Sequence, residues 1–531
     1  MPGLRETLAV FADSRPSLRE LWASRTGTFT DAHVICPSTA VAGERVTASV
    51  QAWDEYERLL PEFDGAFAVT STDDDAETPR RLAFSGTGIG RETVEVTFGA
   101  PGVHYLVLER EGERFVSNPV RVHESDPDTR VYWGDIHLHS KLSDGAGTME
   151  KGYAFARDVM DLDVAAYTDH DTMGFFVPAQ WQRRKMHRGG FERALDAAEQ
   201  FNEEGAFVTL PAYEWTKQPN RGGHLNVYFK HSEDAKLFDS LDPETHTYRD
   251  LWDALREWRD AGHDVLTIPH HPAEAMYPFD FSEAYDDELA PLVEVYSQWG
   301  SSERRDDNPF PLAMGQGEIG EPGHYVQDAL ACGHRVGMLA SSDYHGPFPG
   351  HSPIHCDPHL PSLREWREDG IGWGHIWRVW DERSYPGGLV AFRAAERSRE
   401  GIFDALQSRA VYGTTQPARP LLDLEIDGVR VGEQGSEVVA DGPRTVRVRA
   451  HGSAPLARVT VVKNNEPWHV HEPDQEGFDG WGYETTLTDD TPIEGLSYDA
   501  EQGTDADVYY LRVRQTDGAA GWCGPLWVHT P

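Results

Sequence analysis

The sequence predicts an α/β fold, a parallel sheet or barrel, with a β-sandwich-like domain on either side. Three observations lead there. Between about residues 131 and 415, short apolar runs alternate with helical periods. Strand-like texture fills the stretches before about 126 and after about 420. At 531 residues the chain exceeds one ordinary core, so several domains are expected.

The N-terminal domain, residues 1–126, rests on "RVTASVQAWDEY" and "TVEVTFGAPGVHYLVLER". These are alternating or β-branched runs broken by Gly, Pro and Asp turns. "HESDPDTR" (123–130) is polar, contains Pro and reads as a linker. In the middle domain, 131–415, the helix-like "MEKGYAFARDVM" precedes "DVAAYTDHD". "FERALDAAEQFNEE" precedes "AFVTLPAYEW", and "YRDLWDALREWRDAG" precedes "DVLTIPHHP". Then come "PLVEVYSQWG", "YVQDALACGHRVGMLASSDYHG" and "GGLVAFRAAERSREGIFDALQSRAVYGTT". The apolar runs are short and bounded, as in strands buried on both faces. The C-terminal domain, 420–531, returns to strands in "RTVRVRAHGSAPLARVTVVKNNE" and "DVYYLRVRQTDGAAGWCGPLWVH".

The charge balance excludes some classes. The chain has 89 acidic and 48 basic residues, a net charge of -41, and only seven of the basic residues are Lys. The acids are distributed, so this is a solvated surface rather than an acidic tail. Such an excess with little Lys suggests a high-salt cytoplasm, where a Debye length of about 3 Å at 1 M salt screens self-repulsion. Stable nucleic-acid binding is not expected, because it needs Lys and Arg to neutralise phosphates. No stretch approaches the ~18 apolar residues of a membrane span. The opening "MPGLRETLAVFADSRPSLRE" lacks the apolar region of a signal peptide. Cys36, Cys332, Cys356 and Cys523 are scattered without a CxxC pair, unlike a disulfide framework or a zinc knuckle. A cytoplasmic protein is expected; its oligomeric state is not readable.

The chemistry sits at the C-terminal ends of the middle strands, where α/β enzymes carry their sites. His137 and His139 end the first; at i and i+2 on a strand they face one point. Asp144 follows in the loop. Asp169 and His170 end the second strand, Glu214 the third. His224 opens the next, and His270 and His271 end the fifth. Glu294 lies on the sixth, and Asp343 and His345 end the seventh. A lone histidine is more often a surface or satisfied core residue than a ligand, and about one His-x-His pair is expected by chance with 24 His in 531 residues. The ordered series is different, since burying so many ionisable groups together is too costly unless they are paired or bind metal. Mixed imidazoles and carboxylates suit Zn, Mn or Fe. The other pair, His469 and His471, has no such company and is assigned to the surface.

The set "HLHSKLSDG", "TDHD", "PAYEW", "GGHLN", "PHHP" and "SSDYH" resembles the PHP (polymerase and histidinol phosphatase) family over about residues 131–415. The resemblance implies a distorted (β/α)7 barrel holding two or three divalent ions. It also implies that His137, His139, Glu214 and Asp343 hold the first ion. Glu214 would bridge to a second held with His224 and His271, and Asp144, His170 and His345 would hold the third. His270 competes with His271, which is preferred because it directly precedes a proline. The β-rich flanks and "RAVYGTT" (409–415) resemble a subgroup of largely undefined function.

The expected activity is a metal-dependent phosphoesterase, acting on a small phosphorylated or other anionic substrate through a metal-bound hydroxide. Asp169 or Tyr344 would protonate the leaving group, and Arg409 or Lys141 would clamp the substrate's outer oxygens. Glu294 and Asp135 would support the histidines from behind. The insert 346–375 reads as either a lid or substrate wall, or an ordered surface excursion. One alternative keeps the cluster but hydrolyses C–N or carboxylic ester bonds. Another makes the flanking β-domains the working part, binding a glycan or a protein, with the barrel an inactive scaffold.

Overall fold

The computed structural model describes residues 18–23, 27–217, 223–283, 285–313, 317–379, 384–474 and 477–531. Most of the stretch read for a signal peptide, 1–17, lies outside them. The architecture is mixed α/β with many strands.

The alternation of the N-terminal strands decides their faces. In Arg91–Thr97, Val94 and Val96 are buried, while Glu95 between them faces out and accepts a hydrogen bond from Thr47 Oγ1 (2.8 Å). This strand, Arg45–Asp54 and Phe29–Ile35 form one antiparallel sheet. Arg81–Ala83, Ala66–Ser71, Leu106–Arg110 and Glu113–Val116 form another. Val34, Val50 and Val94 of the first share an apolar cluster with Phe67 and Leu108 of the second.

Arg130–Asp135 then opens the middle region. It pairs in parallel with Val164–Ala165, which pairs in parallel with Val208–Thr209. The helices between them, Met149–Asp158 and Phe191–Phe201, fall where the helical periods predict. Met149–Asp158 starts at Thr148, whose Oγ1 accepts from Lys151 N (3.2 Å). It buries Met149, Tyr153 and Ala156, one stripe at helical spacing.

A second sheet runs Ala212–Trp215, His224–Phe229, Val265–His270, Leu292–Ser297, with Gly337–Ala340 beside the last. The βα alternation fails once here. His224–Phe229 runs antiparallel to both of its neighbours, Ala212–Trp215 and Val265–His270. Only residues 216–223 separate it from Ala212–Trp215, too few for a crossover helix, so the chain must reverse.

The ladders of these two sheets do not close into one barrel. They meet at isolated parallel bridges, Leu138–Tyr344 and His170–Glu214. Ile136, Leu210, Ile268, Leu339 and Val390, from both sheets, fill one apolar cluster between them. Tyr228 OH donates across it to Ile136 O (2.7 Å).

The first sheet continues past the expected limit of the middle region. Gly388–Ala394 runs antiparallel to Arg130–Asp135, and Val411–Thr415 antiparallel to Gly388–Ala394. Val411–Thr415 then pairs with Ala520–His529 at Tyr412–Cys523, Gly413–Trp522 and Thr414–Gly521. Asp507–Gln515, Leu456–Lys463 and Glu466–His471 extend the ladder to ten strands, with Glu437–Val439 beside Ala520–His529. Glycine is needed at 413, because a Cβ there would lie 2.5 Å from Ala340 N. Buried Glu303 fastens the C-terminal strands to the middle region. It accepts from Tyr510 OH (2.7 Å), Arg512 Nε (2.7 Å) and Trp522 Nε1 (2.8 Å). The cysteines are free, and among the described residues no helix is long and apolar enough to cross a membrane.

Candidate metal centre

Beyond Asp135 the chain stays extended to the Leu138 bridge, so His137 and His139 project to the same side and are fully buried. Glu214 is the next-to-last residue of its strand, and Asp343 follows Gly337–Ala340 with φ 54°. His137 Nε2 lies 3.3 Å from His139 Nε2, 3.4 Å from Glu214 Oε2 and 3.3 Å from Asp343 Oδ1. His139 Nε2 lies 3.1 Å from each of the same two oxygens.

The other carboxylate oxygen of Glu214 gathers more imidazoles. Oε1 is 2.7 Å from His224 Nδ1, 3.3 Å from His270 Nε2 and 3.3 Å from His170 Nδ1. Asp144 Oδ1 is 3.5 Å from His170 Nε2 and 3.6 Å from His345 Nε2. His271 Nε2 is 3.9 Å from Asp343 Oδ2. The nine residues given as ligands thus lie together, and His270 joins them beside His271. The sequence presented these two as competitors; the strand ends so that both enter the cluster, His271 by a left-handed φ of 34°.

The electrostatics pull in opposite directions. Burial opposes charge on Glu214, but His170, His270 and His224 hold it well below the usual carboxylate range. Burial likewise opposes Asp343, and His137 and His139 hold it well below. Burial and neighbouring His137 push His270 down to about 4; burial and His139 push His345 to about 4. Burial raises Glu294 to about 7 against the pull of His137. The same carboxylates, against burial, hold His137, His139 and His170 above the usual imidazole range, so a metal entering there would displace protons. His270 and His345 already stand neutral beside charged carboxylates, as metal ligands must.

Several buried atoms here lack any hydrogen-bond partner: His139 Nδ1, Asp144 Oδ1, both nitrogens of His270, His271 Nδ1 and Asp343 Oδ1. Orphaned polar atoms at this density are costly unless something binds them. Separations of 3.1–3.4 Å between donor atoms are those that Zn–N and Zn–O bonds of about 2 Å set between the ligands of one ion. The residues fit divalent metal, and the cluster is compatible with a metal site.

Supporting groups fix the ligands' directions. Glu294 Oε2 faces His137 Nδ1 at 3.0 Å, the place expected for it. Thr216 Oγ1 faces His170 Nδ1 (2.8 Å), and Lys217 O faces His224 Nε2 (3.0 Å). Trp299 Nε1 donates to Asp343 Oδ2 (2.8 Å) and Gln298 Nε2 to Asp343 O (2.6 Å). Gln298 and Trp299 escaped the sequence reading, although "SQWG" follows Glu294 at a strand end, the very position that singled out the other groups.

Four expected roles need correction. Asp169 accepts from Ser140 N (2.9 Å), Ser140 Oγ (2.7 Å), Ser143 N (3.0 Å) and Ser143 Oγ (2.5 Å), so both its oxygens are occupied in shaping the Asp144 loop. Tyr344 alternates with Asp343 and His345 and therefore points the other way, stacking on Phe348 with its hydroxyl against Gly346. Arg409 donates from Nε to Arg335 O (2.8 Å) and lies over the Trp527 ring. That is the entry end of Gly337–Ala340, whereas Asp343 lies past its exit, so Arg409 cannot clamp substrate there. Asp135 does not support the histidines. It accepts from Ser342 N (3.0 Å), Gly350 N (3.0 Å) and Gln416 Nε2 (3.1 Å), and burial raises it to about 6.

The insert is a wall. Trp373 N donates to Asp144 O (2.9 Å), and Gly374 N and Ala146 N both donate to His345 O (3.0 and 2.9 Å). Trp377 packs 5.1 Å from the His345 ring. Gly374 permits this approach, since a Cβ there would lie 2.1 Å from His345 O. Lys141 Nζ donates to Glu368 O (3.4 Å) on the same wall. With Lys185, Ser143 and Gly145 it lines a cleft of about 350 Å³ beside the Asp144 loop. His469 and His471 flank the Tyr483 ring on the Glu466–His471 strand, well apart from the cluster in the fold.

Comparison with known proteins adds the following. A family model described as a protein of unknown function (DUF3604) matches residues 150–290. An uncharacterized protein of Chlamydia pneumoniae is 26% identical over 441 residues, covering 81% of this chain and 63% of the relative. One of Chlamydia trachomatis is 24% identical over 447 residues, with the same coverage. The chain thus spans 63% of the length of these relatives. Among solved structures, it is similar to a two-domain protein of Bacteroides vulgatus described as containing a predicted PHP-like metal-dependent phosphoesterase, at 15% identity and a TM-score of 0.34, covering 75% of this chain and 96% of that one.

Proposed function

We propose that the chain is a metal-dependent phosphoesterase with a two- or three-ion centre of Mn, Zn or Fe, acting on a small anionic substrate. The carrying observation is the set of contacts between His137 Nε2, His139 Nε2, Glu214 Oε2 and Asp343 Oδ1, all of 3.1–3.4 Å, in a fully buried site. These four would hold a first ion. Glu214, with His224, His270 and His271, would hold a second, and Asp144, His170 and His345 a third. The bridges that join the two middle sheets support a distorted (β/α)7 barrel interrupted by an antiparallel strand.

Divalent ions in such a set, when bound, polarise phosphoryl oxygens and acidify water. The chain's own residues prepare the site. Glu294 orients His137, Thr216 orients His170, and the Lys217 carbonyl orients His224, so one nitrogen of each ring faces the cluster. Asp169 holds the Ser140–Ser143 turn that delivers Asp144. Trp299 and Trp377 keep water from the His345 side. Lys141 and Lys185, which line the cleft beside the Asp144 loop, would supply positive charge to an anionic group entering it.

Metal analysis of the purified chain should find two or three ions. A generic phosphomonoester or phosphodiester should be turned over with Mn or Zn. Alanine at both His137 and Asp343 should abolish turnover and lower metal content while the far-ultraviolet dichroism is kept. A metal-free protein inert toward both esters would overturn the reading. Lactone and amide panels run alongside separate phosphoester from carbonyl chemistry on the same cluster.

A further inference from the structure

A second group of ligand-type side chains lies away from the centre, between the N-terminal strands and the wall. His33 is on Phe29–Ile35, Glu57 is in the turn after Arg45–Asp54, and His351 follows the Asp135-bound Gly350. One donor atom from each lies within 4.8 Å of the others. The His33 and His351 rings are 4.9 Å apart, and Trp53 packs 4.1 Å from His351. His351 is 2% exposed. Its Nε2 faces Glu57 Oε2, and its Nδ1 has no hydrogen-bond partner. His33 Nδ1 and His355 Nδ1 are also buried without one. On the other side of Glu57 lie His355 and Cys356, again with donor atoms within 4.8 Å of its carboxylate.

Imidazoles with orphaned nitrogens around one carboxylate are poorly satisfied by each other. The Glu57 carboxylate meets an imidazole rather than a lysine or arginine, and it is held there by a left-handed backbone, φ 55°. The imidazole–carboxylate donor set, with a thiol beside it, is the chemistry of zinc rather than of magnesium or calcium. An entry route exists, because His33, Glu57 and His355 line an open cleft of about 980 Å³.

We infer that His33, Glu57 and His351 form a separate zinc site, which pins the N-terminal strands to the segment that walls the catalytic cluster. The site is structural. His351 adjoins Gly350, whose N–H binds Asp135, and Asp135 also holds Ser342 beside Asp343. An ion here therefore fixes the position of the wall relative to the centre without touching it.

The test is zinc content of the full-length chain after loading with Zn²⁺ and exhaustive dialysis. The His33→Gln/Glu57→Gln double variant should hold one equivalent less than the parent, whatever number the catalytic cluster retains. Glu57→Gln alone, nearly isosteric and in a half-buried turn, should weaken that one equivalent by more than about 100-fold in chelator competition. It should also speed protease cleavage within residues 346–362. Equal zinc content and equal chelator resistance in parent and variants, with the fold retained by circular dichroism, would overturn the inference. Because the readout is a difference of one equivalent, it holds even if the main cluster proves inactive toward esters.

Discussion

Glu294 accepts at Oε2 what His137 offers at Nδ1, which leaves Nε2 as the nitrogen facing Glu214 and Asp343. Such a partner fixes both tautomer and ring angle. Glu294→Ala should therefore lower metal affinity by about 10–100-fold without unfolding the protein. Glu294→Gln, whose amide oxygen still accepts from Nδ1, should retain most of it. Chelator competition measures both; equal affinity in all three proteins would remove Glu294 from this role. Much at this scale was readable. His137/His139 and Asp343/His345 lie at i and i+2, and strand pleating alone brings each pair to one side. The same pleating assigns Tyr344, between Asp343 and His345, to the opposite face. Arg409 was not readable, because its place depends on which end of Gly337–Ala340 it packs against. His33, Glu57 and His351 carry no mutual spacing in the chain at all; only folding joins them.

At the scale of elements, helices were legible and strand direction was not. Met149–Asp158, Phe191–Phe201 and Tyr248–Asp260 follow their apolar stripes and caps, as Thr247 and Asp250 show by a reciprocal capping box. The reversal into His224–Phe229 is set by a short connection that the motif pattern obscured. The wall carries its own pH-dependent latch. Helix Leu363–Asp369 starts at Ser362, whose Oγ accepts from Glu365 N (3.1 Å), while Glu365 Oε1 pairs with Arg378 at 2.8 Å. Burial opposes the charge of Glu365, but Arg378 holds its carboxyl down to about 2. The native state thus binds this proton more weakly than the unfolded chain, whose carboxyl titrates near 4.3. The latch is fully present above about pH 4.3 and is lost as pH falls toward 2, with at most about 3 kcal/mol at stake. Arg378→Met should flatten the stability profile across that window in urea titrations. A profile as steep as the parent's would show that other carboxylates carry the acid sensitivity.

For the whole molecule, the strand textures of both flanks were legible, but their attachment was not. Nothing local in "GGLVAFRAAERS" or "RAVYGTT" says that the first middle sheet runs on into the C-terminal strands. Glu303 shows the strength of that attachment, with Tyr510, Arg512 and Trp522 all donating to one buried carboxylate. Glu303→Leu should destabilise the protein by about 3–5 kcal/mol, because Arg512 then stays buried without a counter-charge. In calorimetry it should split a single transition into two. One unshifted transition would show that the shared sheet suffices without the carboxylate.

The shared sheet also bears on how the protein can be dissected. A fragment stopping near residue 415 would strip Ala520–His529 from Val411–Thr415 and lay bare a row of unpaired peptide groups. It would also uncover the rings of Tyr296 and Phe310, on which Trp522 now packs. Bare, flat, apolar edges recruit copies of themselves. Expressed alone, residues 131–415 should collect in inclusion bodies or elute as large assemblies on gel filtration, whereas 131–531 should stay dispersed. The half that carries the candidate metal centre would then be obtainable only together with the tail that seals its seam.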